Sequence, residues 1–140
     1  MDYSYTTWTS DLNTEHVLID QQHRQLIAAV NELYNAHKSG KGEQEVEKTM
    51  KFLIDYTIKH FNAEEELQKK YNYPDYLAHK QLHAKFQEVA EAMALRLHKE
   101  GPTDELINHV CVTIGRWVLR HIKEEDLKMT AYIKSKEQNT

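Results

Sequence analysis

Histidine and carboxylate recur in this chain at spacings that suit a metal ion. His60 and Glu64 stand four residues apart, as do His79 and His83. On a helix that interval puts two side chains on one face, one turn apart, where both can grip one ion or two adjacent ones. Nine histidines in 140 residues need an explanation. Imidazole with carboxylate suits iron, zinc, copper or manganese, and the donor types alone do not choose among them.

The elements that must carry these residues read as helices. Glu, Lys, Leu and Ala dominate, and there are only four Gly and two Pro, so long stretches can stay helical. A first helix is expected from Glu15 or Leu18 to His37, with Ile19, His23, Leu26, Val30, Leu33 and His37 as its inward stripe, closed by Ser39-Gly40-Lys41-Gly42. A second runs from Glu43 to Lys70 on the stripe Val46, Met50, Leu53, Thr57, His60, Glu64 and Leu67. Tyr71-Asn72-Tyr73-Pro74 breaks it, since proline suits a first turn and not a helix interior. A third, Asp75 to Lys99, turns His79, His83, Phe86, Ala90, Met93 and Leu97 inward. Gly101-Pro102 ends it and Thr103 caps a fourth, Asp104 to Glu125, with Ile107, Val110, Ile114, Trp117 or Val118, and His121 inward. The expected fold class is all-α, an antiparallel up-down-up-down four-helix bundle. It forms a single domain over 1–140, with an N-terminal arm at 1–14 whose Tyr5 and Trp8 pack on the bundle, the bundle over 15–126, and a polar C-terminal tail at 127–140 with room for one more helical turn.

Such a bundle explains the histidines. A buried polar group costs free energy unless it is paired, yet His23, His60, Glu64, His79, His83 and His121 all lie on apolar stripes. His23 and His79 open their helices, whereas His60, Glu64 and His121 close theirs, with His83 one turn on from His79. In an antiparallel bundle those ends coincide, and at ~1.5 Å rise per residue all six fall within about two turns of one level. Independent core histidines have no reason to cluster so. Five His and a carboxylate exceed the needs of one ion, whereas two ions sharing bridging carboxylates use them all. No Glu-x-x-His pair occurs, which sets the chain apart from ferritin-like di-iron bundles.

Composition excludes other classes. A net charge of −4 without a dense basic block argues against a nucleic-acid surface. No apolar run approaches the ~20 residues that span a bilayer. The start MDYSYTTWTSDL lacks the pattern of a secretory signal, so a cytoplasmic location is expected. Cys111 is alone and excludes an internal disulfide framework. His37 reads as a helix-end residue, His98 and His109 as surface, His16 as a residue at the rim of the site, and Glu65, Glu66, Lys69 and Lys70 as a solvated face.

The pieces Ile19-Asp20-Gln21-Gln22-His23, His60-Phe61 with Glu64, Tyr73-Pro74 followed by His79 and His83, and Trp117 before His121-Ile122 and Asp126 together resemble the hemerythrin family, in particular its single-domain bacterial members. The resemblance covers residues 8–132. It implies two Fe ions joined by an oxo or hydroxo bridge. His79, His83 and His121 hold one, His23 and His60 hold the other, and Glu64 and Asp126 bridge them. Asp126 follows His121 by five residues, about 140° around an ideal helix. Periodicity alone points to Glu125 or Glu124, and the resemblance to Asp126, with Glu125 as the alternative.

The resemblance also implies reversible O2 binding for transport, storage or delivery, at an open position on the iron of His23 and His60, with no catalysis. Val118 and Ile114 are expected to wall that position, Trp117 and Phe61 to support it, and Leu26 or Ile27 to line it. A monomer that passes O2 to an oxygen-consuming enzyme is the expected setting. The competing readings are a sensor of O2, redox state or nitric oxide, a di-iron peroxide or nitric oxide reductase, and a zinc-loaded structural bundle.

Overall fold

The structure is a computed structural model, and it describes residues 6–138. Five helices make it up: α1 (Val17–Lys38), α2 (Glu43–Lys70), α3 (Tyr76–Glu100), α4 (Asp104–His121) and α5 (Leu127–Gln138). A single wide π-type turn, Ile122–Asp126, joins α4 to α5. α1 packs against α2 and α4, and α3 against the same two. That ring, with three short connections, is the antiparallel up-down-up-down four-helix bundle expected from the sequence.

The connections are sharp for local reasons. At the end of α1, Gly40 adopts a φ of 68°. Its N–H donates to the His37 carbonyl, while the Lys41 N–H reaches back to Ala36. This closing motif needs a left-handed residue, which glycine supplies without a Cβ penalty. α2 ends the same way with Asn72, φ 53°, as the Tyr73 N–H donates to Gln68 and the Asn72 N–H to Lys69. Pro74 follows, and the chain turns straight into α3. At α4 the Thr103 hydroxyl accepts from the Leu106 N–H at 3.1 Å, which satisfies one of the free first-turn donors.

The stripes read from the sequence form the core: Val30, Leu33, Met50, Leu53, Leu97, Ile107 and Ile114 are all buried. The arm lies along α1 and α4. Thr6 exchanges hydrogen bonds with Asn31, its N–H donating to Oδ1 at 3.1 Å and its carbonyl accepting from Nδ2 at 2.8 Å. Gly115 on α4 makes room for it, since a Cβ there would stand 2.2 Å from Thr6 Oγ1. Trp8 packs on the core with the Arg24 guanidinium 4.1 Å from its ring. Tyr5 lies outside the described residues.

Two expectations change. The fourth helix does not run regularly to Glu125, because its α-geometry stops at His121 and widens. Residues 127–138, expected as a polar tail, continue the same rod as α5. Met129 and Ile133, four residues apart, are buried with Tyr73 in a small second cluster, and Thr130 is buried beside them. That stripe is only two apolar residues long in a lysine-rich segment, too short to stand out as a period.

Candidate metal centre

Each of the four main helices carries polar side chains inward at one end, and the π-type turn adds Asp126. His23, His60, Glu64, His79, His83, His121 and Asp126 are all buried, His121 being the most exposed at 6%. They fall into two groups that share both carboxylates. Glu64, His79, His83, His121 and Asp126 form one, and His23, His60, Glu64 and Asp126 the other. Each carboxylate divides its oxygens between them. Glu64 Oε1 lies 3.3 Å from His83 Nε2 and 3.7 Å from His79 Nε2, while Oε2 lies 3.4 Å from His60 Nε2 and 3.6 Å from His23 Nε2. Asp126 Oδ1 lies 3.0 Å from His79 Nε2 and 3.2 Å from His121 Nε2, while Oδ2 lies 2.9 Å from His23 Nε2. A carboxylate that faces two ways has the geometry to bridge two ions.

The widened turn is what delivers Asp126. Five residues of regular helix would carry it about 140° from His121. The π-type turn absorbs the excess and returns it to the same face. Glu125 points elsewhere, is half-buried, and stands 3.9 Å from Lys128 Nζ.

The donors fit metal ions on two further grounds. Metal–nitrogen bonds of ~2.0–2.1 Å put adjacent donors ~2.9 Å apart in an octahedron and ~3.4 Å apart in a tetrahedron. The observed separations, which include His79–His121 at 2.9 Å and His83–His121 at 3.2 Å between Nε2 atoms, match that scale. Both Glu64 oxygens and Asp126 Oδ1 are buried without a hydrogen-bond partner, and orphaned buried acceptors are costly unless a cation or donor meets them.

Electrostatics agree. Burial pushes the His23 and His79 imidazoles down, but the Asp126 and Glu64 carboxylates beside them outweigh it and hold both up at about 9. Burial raises Glu64, yet the charge of His60 and the nearness of the His23, His60 and His79 ring nitrogens bring it well below the usual carboxylate range. Asp126 is raised by burial and by Glu64, and lowered further by His121 and His23, with a net downward shift. In the absence of metal, protons on His23 and His79 take the place of cations.

Outer partners fix the rings. His60 Nδ1 meets Gln22 Oε1 at 2.7 Å, and His83 Nδ1 meets Glu65 Oε2 at 2.9 Å. Fully buried Gln68 places its amide 3.1 Å from His79 Nδ1 and 2.9 Å from Met129 Sδ. An imidazole that binds a cation through Nε2 carries hydrogen on Nδ1, so the Gln68 amide serves with its oxygen turned to His79. Phe61 stacks on His83 (centroids 3.8 Å, 4° between planes) and Trp117 on His121 (4.3 Å, 12°). The sequence reading missed Gln22, Glu65 and Gln68 as partners. The stripe read from the sequence ends on Leu67, which is half-buried, whereas Gln68, one turn after Glu64, is the residue turned fully inward.

A small cavity of about 10 Å³ opens beside His23, His60, His121 and Asp126, about what one water-sized molecule needs. Leu26, Phe61, Trp117 and Val118 line it, as do Thr57 and Ile122, which the sequence reading had not placed there. The expected wall residues Ile27 and Ile114 do not line it. They are buried in the main core, Ile114 a full turn below Val118 and Ile27 one position around α1 from Leu26. His16 does not reach the cavity either. Its Nδ1 accepts from the Ile19 N–H at 3.4 Å and caps α1.

The hemerythrin HHE cation binding domain model matches residues 14–133. The chain belongs to the hemerythrin family. It is 32% identical over 124 residues to a bacteriohemerythrin of Pseudomonas aeruginosa (strain LESB58), covering 88% of this chain and 78% of that one. It is 34% identical over 129 residues to a bacteriohemerythrin of Stenotrophomonas maltophilia (strain R551-3), covering 91% and 81%. A hemerythrin-like protein of Naegleria gruberi matches at 31% over 121 residues, 86% and 87% of the two chains. Among solved structures, wild-type hemerythrin superposes with a TM-score of 0.82 at 27% identity, over 93% of this chain and 98% of that one. Hemerythrins bind O2 at a di-iron centre, and the donor set of this bundle fits that group. No helix among the described residues is long and apolar enough to cross a membrane.

Proposed function

We propose that this protein is a non-enzymatic, reversible O2 carrier that works as a monomer and supplies O2 to an oxygen-consuming enzyme in the cytoplasm. His79, His83 and His121 would hold one iron, His23 and His60 the other, with Glu64 and Asp126 shared between them. The observation that carries the reading is the division of each carboxylate's oxygens between a three-histidine and a two-histidine group. The group with fewer donors turns both its histidines to the cavity, whereas the three-histidine group turns only His121 to it. All seven donors come from one chain, so the site is complete without a partner.

Two ferrous ions bound there would supply the electrons that O2 takes up on binding and returns on release. The chain's own residues make that exchange reversible. Leu26, Phe61, Val118 and Ile122 present hydrocarbon to the cavity and exclude water. The one hydroxyl in the lining, Thr57 Oγ1, donates its hydrogen to the Leu53 carbonyl at 2.6 Å, so it offers no proton to a bound ligand. An apolar cavity without an O–H donor keeps reduced oxygen from being protonated and lost.

The test is anaerobic reconstitution with ferrous iron, metal counting, and optical spectra through repeated O2 and argon cycles. Two irons per chain and a band that comes and goes with O2 support the carrier. One metal per chain without an O2 response rejects it, and sustained turnover of peroxide or nitric oxide replaces the carrier with an enzyme.

A further inference from the structure

The two halves of the centre differ in what stands behind their imidazoles. In the two-histidine half, His60 Nδ1 meets the neutral amide of Gln22, and His23 Nδ1 has no hydrogen-bond partner. In the three-histidine half, His83 Nδ1 meets a full carboxylate, Glu65 Oε2, at 2.9 Å. Glu65 is the only carboxylate against an outer ring nitrogen of these five histidines among the described residues. Its side chain is 13% exposed, so the contact is shielded from bulk water.

Such a contact does two things. It accepts the Nδ1 hydrogen, which leaves the Nε2 lone pair free to face the centre, and its charge strengthens that lone pair as a donor to a cation. Phe61, stacked on His83, holds the ring plane, so Glu65 decides the tautomer and Phe61 the orientation. Glu64 and Glu65 are sequence neighbours with different duties, one facing the centre and the other reaching around α2 to the back of His83.

We propose that Glu65 is a positioning residue, acting through His83, that makes the His79/His83/His121 half the tighter seat, so that this half fills first and its partner half second. The proposal rests on the two-cation reading above. It assigns an order of loading and names the residue that imposes it.

The test uses the full chain with 15N-labelled histidine, stripped of metal and titrated with zinc, a diamagnetic probe, against a competing chelator. Imidazole 15N shifts report the tautomer and which rings bind. In the wild type, the first equivalent of zinc should shift the Nε2 resonances of His79, His83 and His121, and the second those of His23 and His60. Glu65→Leu should weaken the first zinc by roughly 10–100-fold, the usual cost of losing an outer partner, abolish the preference of His83 for Nδ1–H, and erase the loading order. Glu65→Gln keeps an acceptor and the shape of the side chain but not the charge, and should fall between; it carries the test if Glu65→Leu does not fold. Gln22→Leu should weaken the second zinc and leave the first unchanged. First-site affinity and order unchanged in both Glu65 variants would overturn the role of Glu65 while two zincs per chain left the centre standing. A wild type that binds no zinc would overturn both.

Discussion

Chelation should reverse the sign of this protein's pH response. In the metal-free chain the Asp126 and Glu64 carboxylates hold His23 and His79 at about 9, against an ordinary 6.5. A folded-state pKa above the unfolded one contributes stability that is fully present below 6.5 and is lost as pH rises through 9. One such histidine, shifted by about 2.5 units at 1.36 kcal/mol each, is worth about 3 kcal/mol. The two share Asp126, so their contributions do not simply add. Even one is a large share of the ~5–15 kcal/mol that holds a domain folded. With metal bound the opposite holds, since cations displace those protons and bind more tightly as pH rises. The assay is urea unfolding at pH 6.5, 7.5, 8.5 and 9, with metal and with chelator. The metal-free midpoint should fall across the series, and the gap between the two curves should widen. A metal-free midpoint that stays level or climbs from 6.5 to 9 would refute the assignment of those protons to carboxylate-paired histidines.

Other outcomes follow from particular contacts. Val118→Asp puts a water-attracting carboxyl in the cavity wall and should speed autoxidation of the O2-loaded protein, read as the decay of its visible band; an unchanged rate would place the wall elsewhere. Asp126→Asn removes a charge shared by the two donor groups and should lower the iron count per chain, whereas Glu125→Gln should leave it intact, and equal losses in both would contradict the register of the π-type turn. Gly115→Ala drives a methyl against Thr6 and should cost about 1–2 kcal/mol of stability by chemical unfolding, within the range of overpacking. Thr6→Gly in the same chain should recover part of it, and no recovery would mean that the arm does not seat on α4.

The sequence showed the bundle because its stripes are long. α2 spans Glu43–Lys70 as read, and the stripe polar residues His23, His60, Glu64, His79, His83 and His121 converge at one level because antiparallel helices must align their ends. What stayed hidden was local or non-periodic. The widened turn at Ile122–Asp126 has no pattern of its own, and only the family resemblance, against periodicity, pointed to Asp126. α5 escaped notice because two apolar residues make no period. Glu65 sits in an acidic run that reads as a solvated face, and only the placement of α3 beside α2 turns it toward His83. Ile114 and Val118 share a stripe, and nothing short of the cavity's height in the bundle separates them.

The stacking of Trp117 on His121 gives the molecule an optical gauge. Of its two indoles, Trp8 lies out under Arg24, while the other is in ring contact with an imidazole of the centre. Light absorbed by that second indole has a short path to whatever ion the imidazole holds. A chain carrying Trp8→Phe would therefore emit from one place only, and its brightness would follow occupancy and oxidation without any attached dye.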